Sequence, residues 1–164
     1  MSILSSTDYI LQDGIIESQQ KYHLLVNTPN EQFKASSYLS ASTRAFHSRA
    51  IGLFTGQESK SAWYAEKNEP NEWVQVDLKA PKFISEFLIG PPINTDDVYV
   101  TKFRLFCSLD GSMFGQIGEY TGTAERVYTS IGVWYCRYMK LLVLEWKTDI
   151  GMVWELVQAA STLP

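Results

Sequence analysis

At 164 residues the chain has the length of one domain and can bury a core without metal or disulfide staples. A 45% hydrophobic and 13% aromatic content is that of a globular chain, and a net charge of −4 gives no general attraction to nucleic acid or to anionic membranes. No run of about 18 apolar residues occurs, so no membrane-spanning helix is expected.

The chain opens MSILSSTDYILQDG, without a basic start or a continuous apolar stretch, and does not read as a secretory signal. A cytoplasmic or non-classically exported protein is expected, unless the chain is a domain excised from a longer one. Residues 1–33 read as an N-terminal arm or edge element. Within them 11–20 has a weak helical period, and 22–26 reads as a short strand ended by the turn Asn27-Thr28-Pro29-Asn30. From residue 34 the register changes. Ala35-Ser36-Ser37-Tyr38-Leu39-Ser40 is small and polar. A segment without clear period then runs to Lys60 and carries Arg44, Phe46, His47, Arg49, Gly52, Phe54 and Gly56. It reads as a long loop, a kind of segment that often carries function in compact domains.

An aromatic pair, Trp63-Tyr64, and a polar turn around Pro70 lead into a strand at 73–78. Val74, Val76 and Leu78 fall on one face of it, and Trp73, Gln75 and Asp77 on the other. A second strand is expected at 83–90, then a break at 90–97. Residues 98–107 alternate again, with Phe103, Leu105 and Cys107 on the apolar face. Ser108-Leu109-Asp110-Gly111-Ser112 is a hairpin-type turn. Strands are expected at 114–120, 127–131, 137–144 (Met139, Leu141 and Val143 inward) and 152–157, with a loop at 146–151. Seven or so short strands without a long helix indicate an all-β fold, an antiparallel β-sandwich.

The two cysteines are too few for a disulfide framework. Cys107 lies on the apolar parity of its strand and Cys136 on the parity opposite to Met139, so two free thiols in a reducing compartment are expected.

Four blocks resemble the discoidin domain, also called the coagulation factor 5/8 type C domain, a relative of the family 32 carbohydrate-binding modules. They are Ala35-Ser36-Ser37; Ala62-Trp63 with NEWVQVDL at 71–78; FRLFCSLDG at 103–111; and Arg137-Tyr138-Met139-Lys140-Leu141. The match covers 34–158 and leaves 159–164 as a C-terminal tail. The resemblance implies a galactose-binding-domain-like, eight-stranded, jelly-roll-like sandwich that is usually non-catalytic. Its loops at one end, here 40–60, 90–97 and 146–151, would bind glycans, phospholipid headgroups or proteins. The family's frequent end-to-end disulfide is absent, since no cysteine precedes 107 or follows 136. No cofactor is required. A calcium-holding turn in many relatives corresponds to 56–63, where Gly56 replaces the first Asp. Glu58 and backbone carbonyls are then the remaining candidate ligands for calcium.

A sugar site needs planar hydrogen-bonding groups and an aromatic face. Arg44, Phe46, His47 and Arg49 offer both within six residues. Asn94, Asp96, Asp97 and Tyr99 add to them, and Trp146 stands between contact and core. Taken singly, the arginines read better as solvated and Phe46 and Phe54 as packed under the loop, whereas the loop set as a whole reads better as a ligand site. Trp63 and Trp73 are expected inside the sandwich, and Asp77 and Arg137 are expected to pair between strands.

An enzyme is not expected. His23 and His47 are the only histidines, GxSxG is absent, no Cys/His spacing suits zinc, and no glycine loop suits phosphate. The leading expectation is a lectin-like module for a glycan or glycoprotein, acting in adhesion. Weak single-site affinity would then call for a homo-oligomer. The alternatives are a protein-interaction module, as in the DOC-type domain of a ubiquitin ligase subunit, and binding of an anionic lipid headgroup through Phe46, Phe54, Arg44 and Arg49.

Overall fold

The computed structural model describes residues 21–50, 62–93 and 95–160. Eight strands follow in order: β1 (Tyr22–His23), β2 (Phe33–Ala35), β3 (Trp63–Tyr64), β4 (Trp73–Gly90), β5 (Tyr99–Ser108), β6 (Gly115–Thr121), β7 (Val127–Lys147) and β8 (Gly151–Gln158). The strands pair antiparallel in the order β1-β8-β4-β7-β5-β6, with β2 added to β4 and β3 added to β8. Short 3-10 turns are the only helical elements among the described residues, and none of them could cross a membrane.

Two pairs of expected strands are each one long strand. β4 spans 18 residues and joins the stretches at 73–78 and 83–90; β7 spans 21 and joins those at 127–131 and 137–144. The cause is a bulge. Pairing jumps from Asp77↔Tyr138 to Lys82↔Cys136, and Lys79 takes a left-handed φ of 70° inside the jump. Such an irregularity bends a strand and increases its twist. The first half of β4 pairs with β2 and the end of β7. Its second half pairs with β8 and the start of β7. Both strands therefore pass from one layer of the sandwich into the other.

The alternating faces build the core. Val74, Val76, Leu78, Phe103, Leu105, Met139, Leu141 and Val143 are all buried. Phe87 on the second half of β4 meets Phe103 edge-on at 5.6 Å and Tyr120 at 5.0 Å, an arrangement favoured by aromatic quadrupoles. Trp63 is fully buried, as expected, and its indole N–H donates to Ser37 O at 2.8 Å. Trp73 is not in the interior. It faces outward on β4, half-buried, under the Lys140 ammonium at 4.7 Å. The expected pair is formed: Arg137 donates to both carboxylate oxygens of Asp77 at 2.8 and 3.0 Å. This holds the Asp77 carboxyl below the usual range.

The free-thiol expectation is corrected. Cys107 and Cys136 form a disulfide between β5 and β7, with Cα atoms 5.5 Å apart. The parity argument failed because the bulge lies between Cys136 and Met139, and it turns both side chains toward the core. A bonded pair gives no indication of a reducing compartment.

Candidate functional site

The segment after β2 is shaped by two successive 3-10 turns, Ala41–Thr43 and Ala45–Ser48. Ser40 opens the first. Its backbone N–H donates to Thr43 Oγ1 at 2.8 Å, and the Thr43 N–H returns to Ser40 O at 3.0 Å. Arg44 sits extended between the turns, exposed, with its guanidinium 5.2 Å from the Tyr38 ring centre. Ser48 is buried and accepts the Trp154 indole N–H at 2.9 Å, which fastens the second turn to β8.

Arg49 is occupied by the fold. Nη1 donates to Phe46 O at 3.1 Å, Nε and Nη2 both reach Thr28 O, and Nη2 also reaches Asn30 Oδ1 at 2.6 Å. The group lies 4.8 Å from the centre of the Phe33 ring. The residue braces the loop against the 25–32 segment, and this leaves little of its guanidinium for a ligand. Phe46 is half-buried against the core, and its ring meets His47 at 4.4 Å. Burial, before any charge effect, lowers the His47 pKa, with Arg49 and Arg44 adding to it.

Between these turns and β2 lies a cavity of about 480 Å³, lined by Phe33, Tyr38, Phe46, Trp73, Lys34 and Arg44 among others. This is within the size range of small-ligand pockets, and an apolar lining with a few polar groups is their usual character. Of the candidate residues, Arg44 and Phe46 line it.

The other candidates fall elsewhere. Asp96 and Asp97 are exposed in the loop before β5, and Tyr99 opens β5 half-buried, with the Lys147 ammonium 5.9 Å from its ring centre. Trp146 packs against the core opposite Val100. Burial raises the Tyr64 pKa, with the charges of Asp149 and Asp97 contributing. Asn94, Phe54 and the candidate calcium ligand Glu58 lie outside the described residues. Among the described residues no group of three His, Cys, Asp or Glu could hold a metal.

Two features were not legible in the sequence. Tyr38 and Trp73 complete the cavity, yet Trp73 reads as a core residue from its motif. Glu155 sits in the middle of an apolar strand and is fully buried. Its carboxylate accepts the N–H groups of Leu25 at 2.6 Å, Val26 at 3.1 Å and Leu156 at 2.7 Å. Those bonds turn residues 25–27 into a 3-10 turn where a strand was expected.

The F5/8 type C domain model matches residues 32–156. The chain belongs to the F5/8 type C domain family. This F5/8 type C domain is 27% identical over 146 residues to lactadherin from Rattus norvegicus, covering 79% of the chain but 33% of that protein. It thus spans about a third of that relative's length. Its fold is similar to discoidin II of Dictyostelium discoideum, with a TM-score of 0.72 at 13% identity, over 87% of this chain and 60% of that one. Chitosan-binding module 1 from a Paenibacillus sp. IK-5 chitosanase/glucanase matches with a TM-score of 0.65 at 16% identity, over 82% of this chain and 98% of the module. At these identities the structural matches establish the β-sandwich fold alone.

Proposed function

We propose that this domain is a non-catalytic binding module whose ligand is a glycan, seated in the cavity between β2 and the 41–48 turns. The observation that carries this reading is the cavity itself: about 480 Å³, with Phe33, Tyr38, Phe46 and Trp73 as apolar walls and Arg44, Lys34, Asn30 and Glu31 as polar groups. A pyranose presents one C–H face and a ring of hydroxyls, and these walls offer a partner for each. The chitosan-binding module supports the reading by sharing the sandwich. Among the described residues lining the cavity no nucleophile, base and orienting group stand together, and binding without turnover is the expected behaviour.

A membrane reading is favoured by one observation, the exposed Leu39 beside Tyr38 and Arg44 at the loop tip. Glycan-array binding of the wild-type chain against Tyr38→Ala tests the main reading. Binding lost on removing this exposed ring supports it. An array without signal, together with Tyr38-dependent binding to phosphatidylserine vesicles, would replace it with the membrane reading.

A further inference from the structure

We infer that the cavity beside β2 takes a negatively charged sugar unit, a uronate or other carboxylated pyranose; this rests on the glycan-binding reading above. The first ground is charge. The chain is acidic, at −4. Its cations at Lys21, Lys79, Lys102, Arg104 and Arg137 each have a carboxylate within 4 Å. Among the described residues Lys34 and Arg44 have none, as is also true of Lys67, Lys82, Lys140 and Lys147, and what sets these two apart is their place on the cavity lining. Both are exposed there. Two unmatched cations facing one aromatic cavity form a local positive site on an acidic surface, which is the arrangement that attracts and orients an anion.

The second ground is shape. Arg44 stands between two 3-10 turns that fix its backbone, and its guanidinium rests 5.2 Å from the Tyr38 ring centre. A guanidinium held this way offers a planar fork of N–H donors that fits a carboxylate with two bonds. Lys34 supplies a second positive charge without directional demands. Glu31, the one carboxylate on the lining, can accept from a sugar hydroxyl and by its charge opposes a uronate. The balance of two cations against one carboxylate still favours the acid. Tyr38, Phe46 and Trp73 add an apolar surface that a sugar ring can cover and a bare inorganic anion would leave unused.

Affinity gel electrophoresis of the full chain through polygalacturonate, hyaluronate, neutral galactan and chitosan tests this. Retardation by one or both acidic polymers, well above that by galactan, is the expected result. Arg44→Ala is expected to weaken it by roughly tenfold or more, the usual effect of losing a charge-assisted bond, and Arg44→Lys by less. Lys34→Ala should weaken it too, while Arg104→Ala on β5 should not. Equal retardation by galactan, or retardation by acidic polymers that ignores Arg44→Ala, overturns the inference and leaves glycan binding standing. Absence of retardation by all four overturns both. Binding to phosphatidylserine vesicles without retardation by any polymer assigns the cations to a membrane surface and also overturns it.

Discussion

Glu155 on β8 and Leu25 in the N-terminal arm are joined by a 2.6 Å hydrogen bond from the Leu25 N–H to a carboxylate with no solvent exposure. A buried charge is stabilised in this way by backbone dipoles rather than by a counter-ion. Burial still outweighs those bonds and raises the Glu155 pKa from 4.5 to about 7.

The sign of the consequence is fixed by linkage. The folded state holds the Glu155 proton more tightly than the unfolded chain does. Stability from this group is therefore full below about pH 4.5 and is lost as pH rises to about 7, by on the order of 3 kcal/mol. Urea denaturation between pH 4.5 and 7.5 should show this fall. Glu155→Gln should flatten it, because an amide does not titrate. At low pH the same variant should stay within about 1 kcal/mol of the wild type, since a protonated carboxyl and an amide each turn one donor toward the backbone N–H groups that Glu155 faces. A wild-type profile that is flat or rising across this window would remove Glu155 as the controlling group.

The disulfide between Cys107 and Cys136 closes 29 residues of chain. A cross-link of that span restricts the unfolded ensemble by about 3 kcal/mol. The double variant Cys107→Ser/Cys136→Ala, or the wild type under dithiothreitol, should lose stability of that order in urea denaturation with its strands retained by circular dichroism.

Arg49 carries four hydrogen bonds that tie Thr28, Asn30 and Phe46 together. Arg49→Ala should cost roughly 1–3 kcal/mol and speed amide exchange in both 25–32 and 44–48. Arg49→Lys should rescue little of this, because one ammonium cannot reproduce a planar fork. If exchange is unchanged in both segments, Arg49 does not brace the loop.

Two glycines make a sharp contrast. A Cβ at Gly122 would stand 2.1 Å from the Val100 carbonyl oxygen, a backbone atom that cannot give way, whereas nothing lies within 4 Å of one at Gly115. Gly122→Ala should therefore destabilise by about 1–3 kcal/mol. Gly115→Ala should shift stability by no more than about 0.5 kcal/mol in either direction, as is usual for open surface sites. Thermal melts of both variants check the pair.

The alternating pattern alone determined which faces of β4, β5 and β7 are buried, because side chains in a strand alternate with a period of two and hydrophobic burial selects one face. Val74, Val76, Phe103, Leu105, Met139 and Leu141 needed no structure to be placed inside. The salt bridge of Asp77 with Arg137 was legible from the same register. Tertiary structure decided whatever crosses an irregularity or joins distant segments. The bulge at 78–81 fused two expected strands into one, reversed the parity of Cys136 and so closed a disulfide that a strict alternation forbids. Arg49 reads as a loop cation until the Thr28 carbonyl, 21 positions away, is placed beside it. Glu155 reads as an interruption of an apolar strand until the N–H groups of a segment 130 positions away surround it. The cavity belongs with these, since its walls come from β2, the 41–48 turns and Trp73 on the outer face of β4. Local pattern encodes which side of an element faces the core. It does not encode which remote backbone groups will satisfy a buried or half-buried polar side chain, because that depends on packing between layers.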